Sequence, residues 1–262
     1  MIAAMVSVIP SSHILQGDPF MVVINPSSTV SRVAYNNSPV GFFSYKGQLV
    51  VLIGIPLNQK PGNYELKIFL KNGSVENDTV EVSPREKPVM ALGIPENLGG
   101  NSVASAVAAV ADLRKENKSL ANLKTAHKAL WINPFIMPLS STTVTNPYGV
   151  IRQTDGYAIP HKGTDFQAPV GTPIHAMNSG TVVLARGYRL YGNTIVIDHG
   201  LGPETIYMHL SKINVSVGEK INQGDVIGLT GATGYAVGPH LHVSVRIGKT
   251  SIDPIAFLNL FH

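Results

Sequence analysis

The sequence contains no cysteine among its 262 residues. This absence excludes disulfide frameworks, cysteine nucleophiles and thiolate metal sites, so histidine and carboxylate are the strong metal ligands that remain. Charged residues are scarce as well, at 14%, and the formal net charge is only +4. Such a mild basic balance suits contact with an anionic polymer. Because no run of lysine and arginine is interleaved with aromatic residues, we expect no nucleic-acid partner.

Long apolar runs are missing too. No stretch approaches the roughly 18 consecutive apolar residues that indicate a membrane-spanning helix, so we expect no membrane span. The opening segment, MIAAMVSVIP, is too short for a signal peptide and lacks a basic front end. If the protein works outside the cytoplasm, we therefore expect its export signal to be absent from this sequence.

Residues 1–86 have the composition of an all-β module. Short apolar runs such as PFMVVI and LVVLIGI alternate with turn signals, and apolar residues alternate between Tyr64 and Leu70. This alternation is typical of a strand with one buried face. About seven short strands at this spacing predict an immunoglobulin-like β-sandwich. Because the segment has no cluster of polar residues, we interpret it as a spacer or a binding module.

Residues 87–131 change to a helical pattern, and we interpret them as a short helical connector. Ser102 or Asn101 is expected to cap the N-terminus of the helix. The apolar stripe is predicted to be a packing face. Its members at helical spacing are Val103, Val107, Val110, Leu113, Leu120, Leu123 and Leu130.

Residues 132–262 return to strand-like runs rich in glycine, such as GTVVLA, NTIVIDHG and HLHVSVRI. Turn signals separate these runs, and no periodic helix of useful length precedes the closing DPIAFLNL. We predict a second, mostly antiparallel β domain here, which makes the whole chain mainly β.

The histidines are concentrated in this second half, where seven of the nine lie between His161 and His262. Clustering alone is weak evidence, but the spacing is informative. His161 and Asp165 form an H-x-x-x-D pair within HKGTDFQAP, where glycine and proline favour a loop. His240 and His242 form an H-x-H pair within PHLHVSV. Because side chains alternate across a strand, these two imidazoles are expected to project from one face.

A catalytic zinc ion commonly has three protein ligands from histidine and carboxylate, with the fourth position left for water. His161, Asp165 and one member of the H-x-H pair meet this requirement. No H-E-x-x-H motif is present, so a general base must come from elsewhere. His209, within TIYMHLS, and the remaining histidine of the H-x-H pair are the candidates.

These motifs resemble the lysostaphin-like, LytM-domain zinc endopeptidases of bacterial cell walls. The similarity begins near NPYGVIR, continues through HKGTDFQAPVGTPIHAMNSGTVV, TIYMHLS and GPHLHVSV, and covers roughly half of the chain. The resemblance implies one zinc ion per chain, held by His161, Asp165 and His242. It implies that His209 and His240 are catalytic without being ligands.

The resemblance also implies a compact antiparallel domain with a loop-bordered groove and the metal at its floor. The expected reaction is hydrolysis of peptide bonds in peptidoglycan, at stem-peptide cross-links or cross-bridges, by metal-activated water with histidine acid/base assistance. Such a protein would act in the cell envelope as a periplasmic, wall-associated or secreted enzyme. Tyr157 and Asn193 lie near the motifs and are predicted to position substrate. His175 and His199 receive no catalytic role and are interpreted as structural.

Two other functions compete with the active enzyme. A non-catalytic relative could bind peptidoglycan or activate a partner amidase, but such relatives lose ligands or catalytic histidines, and all five positions are filled here. Alternatively, the segment before residue 132 could cover the groove and keep the enzyme latent until a regulator, intramolecular or a separate protein, removes it.

Overall fold

The computed structural model describes residues 5–9, 13–25, 30–91, 93–95, 98–140, 142–154 and 157–261. Within these ranges the protein is mainly β, as the sequence predicts. Two α-helices occur in the same ranges, and neither of them is long and apolar enough to span a bilayer.

The N-terminal part consists of two β-sheets that face each other. Its strands are β1 (Met5–Ile9), β2 (Ile14–Leu15), β3 (Pro19–Asn25), β4 (Val30–Tyr35), β5 (Ser38–Val40), β6 (Phe43–Tyr45), β7 (Gln48–Gly54), β8 (Gly62–Leu70) and β9 (Val75–Ser83). One sheet has the order β1-β3-β7-β6 and the other β2-β9-β8-β4-β5. Alternate residues of both sheets, including Phe20, Val51 and Leu66, form the core between them. The specific likeness to an immunoglobulin domain stays a prediction.

The connector contains a short strand, β10 (Val89–Ala91), and the helix α1 (Val103–Ala121). Ser102 caps the helix, because its side-chain oxygen accepts the backbone N–H of Ser105 at 3.1 Å.

The predicted apolar stripe is wrong in two respects. Val103 and Val107 are exposed, whereas Val110 and Leu120 are buried as predicted. The other buried side chains of α1 are Ala106, Ala109 and Glu116, which the stripe did not include. The helix also ends at Ala121, so the two later leucines of the stripe lie beyond it. Tertiary contacts account for the second point, since the chain after α1 hydrogen-bonds to the C-terminal domain, for example from Leu130 N to His199 O at 2.9 Å.

The C-terminal part is built on a large antiparallel sheet. Its elements are β11 (Val144–Asn146), β12 (Ile151–Thr154), β13 (Tyr157–Pro160), β14 (Thr164–Gln167), β15 (Pro173–His175), β16 (Gly180–Gly187), β17 (Asn193–Asp198), β18 (Pro203–Leu210), β19 (Lys212–Ile213), β20 (Lys220–Ile221), β21 (Val226–Leu229), β22 (His240–Ile247), β23 (Thr250–Ile252) and α2 (Pro254–Asn259). The large sheet has the order β11-β14-β22-β18-β17-β16-β20, with β23 paired to β22. Smaller sheets join β15-β21-β19 and β10-β12-β13.

The N-terminal and C-terminal parts share a core. Met21, Val50 and Leu52 pack in the same apolar cluster as the buried residues of the large sheet. Arg85 links the parts with ion pairs to Asp18 and to Asp253, the latter at 2.9 Å. The N-terminal module is therefore docked on the C-terminal domain. Because the core crosses them, the boundaries after residues 86 and 131 stay predictions.

Candidate metal centre and active site

Two neighbouring strands bring three donor atoms together. In the register of the large sheet, Asp165 on β14 lies opposite His242 on β22, and His161 precedes β14 by a short loop. His161 Nε2 lies 3.1 Å from Asp165 Oδ1 and 3.1 Å from His242 Nδ1, and His242 Nδ1 lies 2.7 Å from the same carboxylate oxygen. All three side chains are buried.

Hydrogen bonds behind the two imidazoles determine which nitrogen carries the lone pair. His161 Nδ1 lies 2.9 Å from the carbonyl oxygen of Pro147, which can only accept, so Nδ1 donates and Nε2 is unprotonated in the neutral ring. The Ser244 hydroxyl donates to the carbonyl of Lys162, so it accepts from His242 Nε2 at 2.8 Å. His242 Nδ1 is therefore also unprotonated.

The centre consequently points two nitrogen lone pairs and a carboxylate oxygen at one another. Burial lowers the pKa of His242 to about 4, which keeps its ring neutral. Three converging electron-pair donors in a buried site are the arrangement that binds a metal ion, and these three residues fit one.

Gly163 permits the close approach of the loop to β22. A Cβ atom at this position would lie 2.4 Å from His242 Nε2 and 2.4 Å from the carbonyl oxygen of Val243. Any side chain here would push the H-x-x-x-D loop away from the strand that carries His242, so the glycine between the two ligand candidates has a steric reason.

Two further histidines lie beside the triad. The rings of His209 and His240 are 4.8 Å apart between centroids, and the ring of His209 is 6.0 Å from that of His242. The Nδ1 of each donates to a backbone carbonyl at 2.8 Å, from His209 to Thr233 and from His240 to Gly238. In each neutral ring Nε2 is thus the nitrogen able to take a proton.

His209 occupies an unusual backbone conformation. Its φ is +65°, in the left-handed region that residues other than glycine seldom adopt. Burial lowers its pKa to about 3, and the neighbouring imidazoles of His240 and His242 act in the same direction. Strained, buried residues with shifted pKa values are concentrated at functional sites, and this residue has all three properties.

Comparison with known proteins identifies the segment that carries these residues. Residues 159–254 match the family model described as Peptidase family M23. This part of the chain is an M23 peptidase domain. The resemblance inferred from the motifs is thereby confirmed, and the matched range contains all five histidine and aspartate positions described above.

The relatives differ in how much of the chain they cover. The M23 domain is 51% identical over 88 residues to the peptidoglycan DD-endopeptidase ShyA of Vibrio cholerae, covering 34% of this chain and 20% of that protein. It is 36% identical over 122 residues to the DD-carboxypeptidase/endopeptidase Mpg of Neisseria meningitidis, covering 46% and 28%. The chain thus spans less than a third of the length of these relatives. A crystal structure of a putative M23 peptidase from Pseudomonas aeruginosa is similar over 95% of this chain and 97% of its own, with 27% identity and a TM-score of 0.67.

The other two predicted site residues, Tyr157 and Asn193, are not among the three converging donors. Tyr157 begins β13, at the tip of its hairpin with β12, and does not belong to the described residues that line the cavities at the metal centre. The Asn193 side chain donates to the carbonyl of Leu210 at 3.0 Å, and its backbone N–H donates to Thr233 Oγ1 at 3.0 Å. Asn193 therefore contacts Leu210, which follows His209 in the chain, and Thr233, whose carbonyl holds the His209 ring. A direct role of Tyr157 or Asn193 on substrate stays a prediction.

The two histidines interpreted as structural are hydrogen-bonded within the M23 domain. His175 Nδ1 donates to Gly224 O at 2.8 Å. His199 is fully buried between the carbonyl of Ser179 and the hydroxyl of Thr205, and burial lowers its pKa to about 4.

Sequence reasoning missed Arg152 and Ser244. Arg152 Nη2 lies 2.9 Å from Asp165 Oδ2, whereas the two imidazoles contact the other oxygen of this carboxylate, Oδ1. Ser244 follows His242 by two residues on one strand, so strand alternation was a usable signal for it. For Arg152 the signal is weaker, because only the pairing of β12 and β13 carries it to the site.

Glu116 of helix α1 is a third missed residue, and it supports His209 indirectly. Its two carboxylate oxygens accept the backbone N–H groups of Leu190 and Tyr191, each at 3.0 Å. The carbonyl of Tyr191 in turn accepts the backbone N–H of His209 at 3.0 Å. The connector helix is thus tied to the backbone that holds this histidine in its positive-φ conformation.

We expect Glu116→Gln to reduce kcat about tenfold while the metal content stays unchanged. A glutamine offers one acceptor oxygen, and its NH₂ group would face a backbone donor, a buried mismatch that costs about 1–3 kcal/mol. The measurement is kcat and metal content of the purified variant. The control is Asp112→Asn, at another acidic residue of α1, which removes an exposed ion pair with Arg189 of the C-terminal domain. Equal kcat values for the two variants would contradict the expectation.

Proposed function

We propose that the protein is a zinc-dependent endopeptidase that hydrolyses peptide bonds in bacterial peptidoglycan. The observation that supports this most strongly is the buried convergence of His161 Nε2, Asp165 Oδ1 and His242 Nδ1 next to two histidines whose Nδ1 atoms are held by backbone carbonyls. The names of the relatives, a peptidoglycan DD-endopeptidase and a DD-carboxypeptidase/endopeptidase, supply the substrate class. The proposed place of action is accordingly the cell envelope.

Zinc is the metal that the donor set favours. Two imidazoles and one carboxylate form a common protein ligand set of catalytic zinc, which leaves a fourth position for water. One ion per chain would be held by His161, Asp165 and His242. When bound, zinc would activate water as a nucleophile and polarise the peptide carbonyl. Arg152 Nη2, 2.9 Å from Asp165 Oδ2, would balance part of the negative charge of this carboxylate and hold its orientation.

The two remaining histidines would handle the protons. One of the Nε2 atoms of His209 and His240 accepts the proton of the attacking water, and the same imidazole later donates it to the leaving amine. The other imidazole would act as the imidazolium, protonated on both nitrogens, and its Nε2 would donate a hydrogen bond to the carbonyl oxygen as negative charge develops on it. The carbonyls of Thr233 and Gly238 hold both rings through Nδ1, so that Nε2 is the nitrogen presented to substrate.

The test is zinc content together with hydrolysis of purified peptidoglycan by the whole chain. We expect one equivalent of zinc, release of soluble peptides, loss of that release with a chelator, and recovery on adding zinc. Product masses then identify the bond. Zinc-loaded protein that binds insoluble peptidoglycan but releases nothing would contradict the enzyme and favour the non-catalytic binding module.

A further inference from the structure

A cavity of about 500 Å³ extends from the metal centre between helix α1 and the large sheet. Side chains of β18 and β22, among them Met208 and Ser244, line it together with residues of helix α1 such as Leu113 and Asn117. Its lining includes His161, His209 and His242, so the cavity opens directly on the candidate active site. A peptide whose scissile bond lies at the metal would place neighbouring residues in this cavity.

The charged groups that line this cavity, other than histidine, are all cationic. They are Arg114, Arg152, Lys162, Arg246 and Lys249, and no aspartate or glutamate occurs among the described residues of the lining. Two of these cations have acidic partners that do not themselves line the cavity: Arg152 pairs with Asp165, and Arg246 lies 3.7 Å from Glu204.

Lys162 and Lys249 differ from those two arginines. Both are exposed, and within the described part of the chain neither takes part in an ion pair. Both also line a second cavity of about 490 Å³, which adds Lys87 and again has no acidic residue among its described lining. The two lysines therefore lie where two acid-free cavities meet, next to the loop that carries His161.

We propose that Lys162 and Lys249 form a subsite for carboxylates of the peptide that is cut, so that the protein prefers acidic peptides. This inference rests on the proposed function and deepens it by naming the charge of the substrate. A cleft lined by one sign of charge concentrates ligands of the opposite sign, and its low-dielectric walls strengthen each ion pair relative to water. A substrate carboxylate would supply the counter-charge that the protein does not provide at this place.

The experiment compares two synthetic stem peptides that differ only in whether their carboxylates are free or amidated. We expect the whole chain to show a kcat/KM at least about tenfold higher for the free-carboxylate peptide than for the amidated one. The amidated peptide cannot form the one or two ion pairs with the lysines that this ratio reflects. In the double variant K162Q/K249Q this ratio should fall to about one. The control Lys71→Gln, at the exposed turn after β8, should keep the wild-type ratio. An unchanged ratio in the double variant would overturn the subsite.

A binding measurement separates failure of the subsite from failure of the proposed function. Fluorescently labelled forms of both peptides are titrated against the wild-type chain and the double variant, without any need for turnover. If neither peptide is hydrolysed but the free-carboxylate peptide binds more tightly only to the wild type, the proposed function is wrong and the subsite stands. Equal affinity of the two peptides for the wild type would refute the subsite even if both are cut.

Discussion

The variant Asp165→Asn is expected to lose its metal ion and, with it, about 10³-fold or more of any peptidase activity. Asp165 provides the only negative charge among the three donor atoms. Its Oδ1 lies 3.1 Å from His161 Nε2 and 2.7 Å from His242 Nδ1, and these two nitrogens are 3.1 Å apart. The side-chain oxygen of asparagine carries no formal charge, and the partly positive NH₂ group of the same side chain would repel a cation. Loss of metal removes several kcal/mol of charge stabilisation from the transition state.

Metal analysis and hydrolysis rates of the purified variant check this expectation. The matched control is Asp225→Asn, which changes an exposed carboxylate of the same domain that accepts the backbone N–H of Asn222. The control should retain one equivalent of metal and wild-type rates. Full metal occupancy in Asp165→Asn would show that the ligand set is wrong.

The variants His209→Ala and His240→Ala are expected to keep the metal but to lose about 10²- to 10⁴-fold in kcat each, the usual range for removal of a general acid–base group. Neither side chain supplies one of the three converging donor atoms. Each instead presents an Nε2 atom beside the triad, from a ring held by a backbone carbonyl. The double variant should be little slower than the single ones, because residues that act as a unit are not additive.

Metal content, kcat and KM of each variant are the measurements, and His127→Ala, at an exposed histidine, is the control. Loss of metal from His240→Ala would instead assign His240 as the ligand of the H-x-H pair. A fall in kcat/KM that arises entirely from KM would mean that these rings bind substrate without moving protons.

Several features of the site follow from local sequence. An H-x-H pair in a strand puts both rings on one face because side chains alternate, and in the structure both rings lie beside the ring of His209, with centroids 4.8 Å and 6.0 Å from it. The glycine inside H-x-x-x-D is required by a contact with β22, but its place in the loop was visible in the sequence. The mainly β architecture also followed from local alternation and turns, since both depend on residues only a few positions apart.

Local patterns in the sequence were enough to predict the mainly β fold, the M23 motifs and the five candidate residues of the site. The available nitrogen of His161 and of His242 depends on tertiary contacts, because the carbonyl of Pro147 and the hydroxyl of Ser244 fix the position of each ring proton. The tertiary structure also decided which face of helix α1 is buried, and it brought Glu116 to the backbone beside His209 and Lys249 to the cavity next to His161. Periodicity reports how a residue is oriented within its own element. Which residues of other elements contact it depends on strand register and on packing between residues far apart in the chain, and no local pattern contains that information.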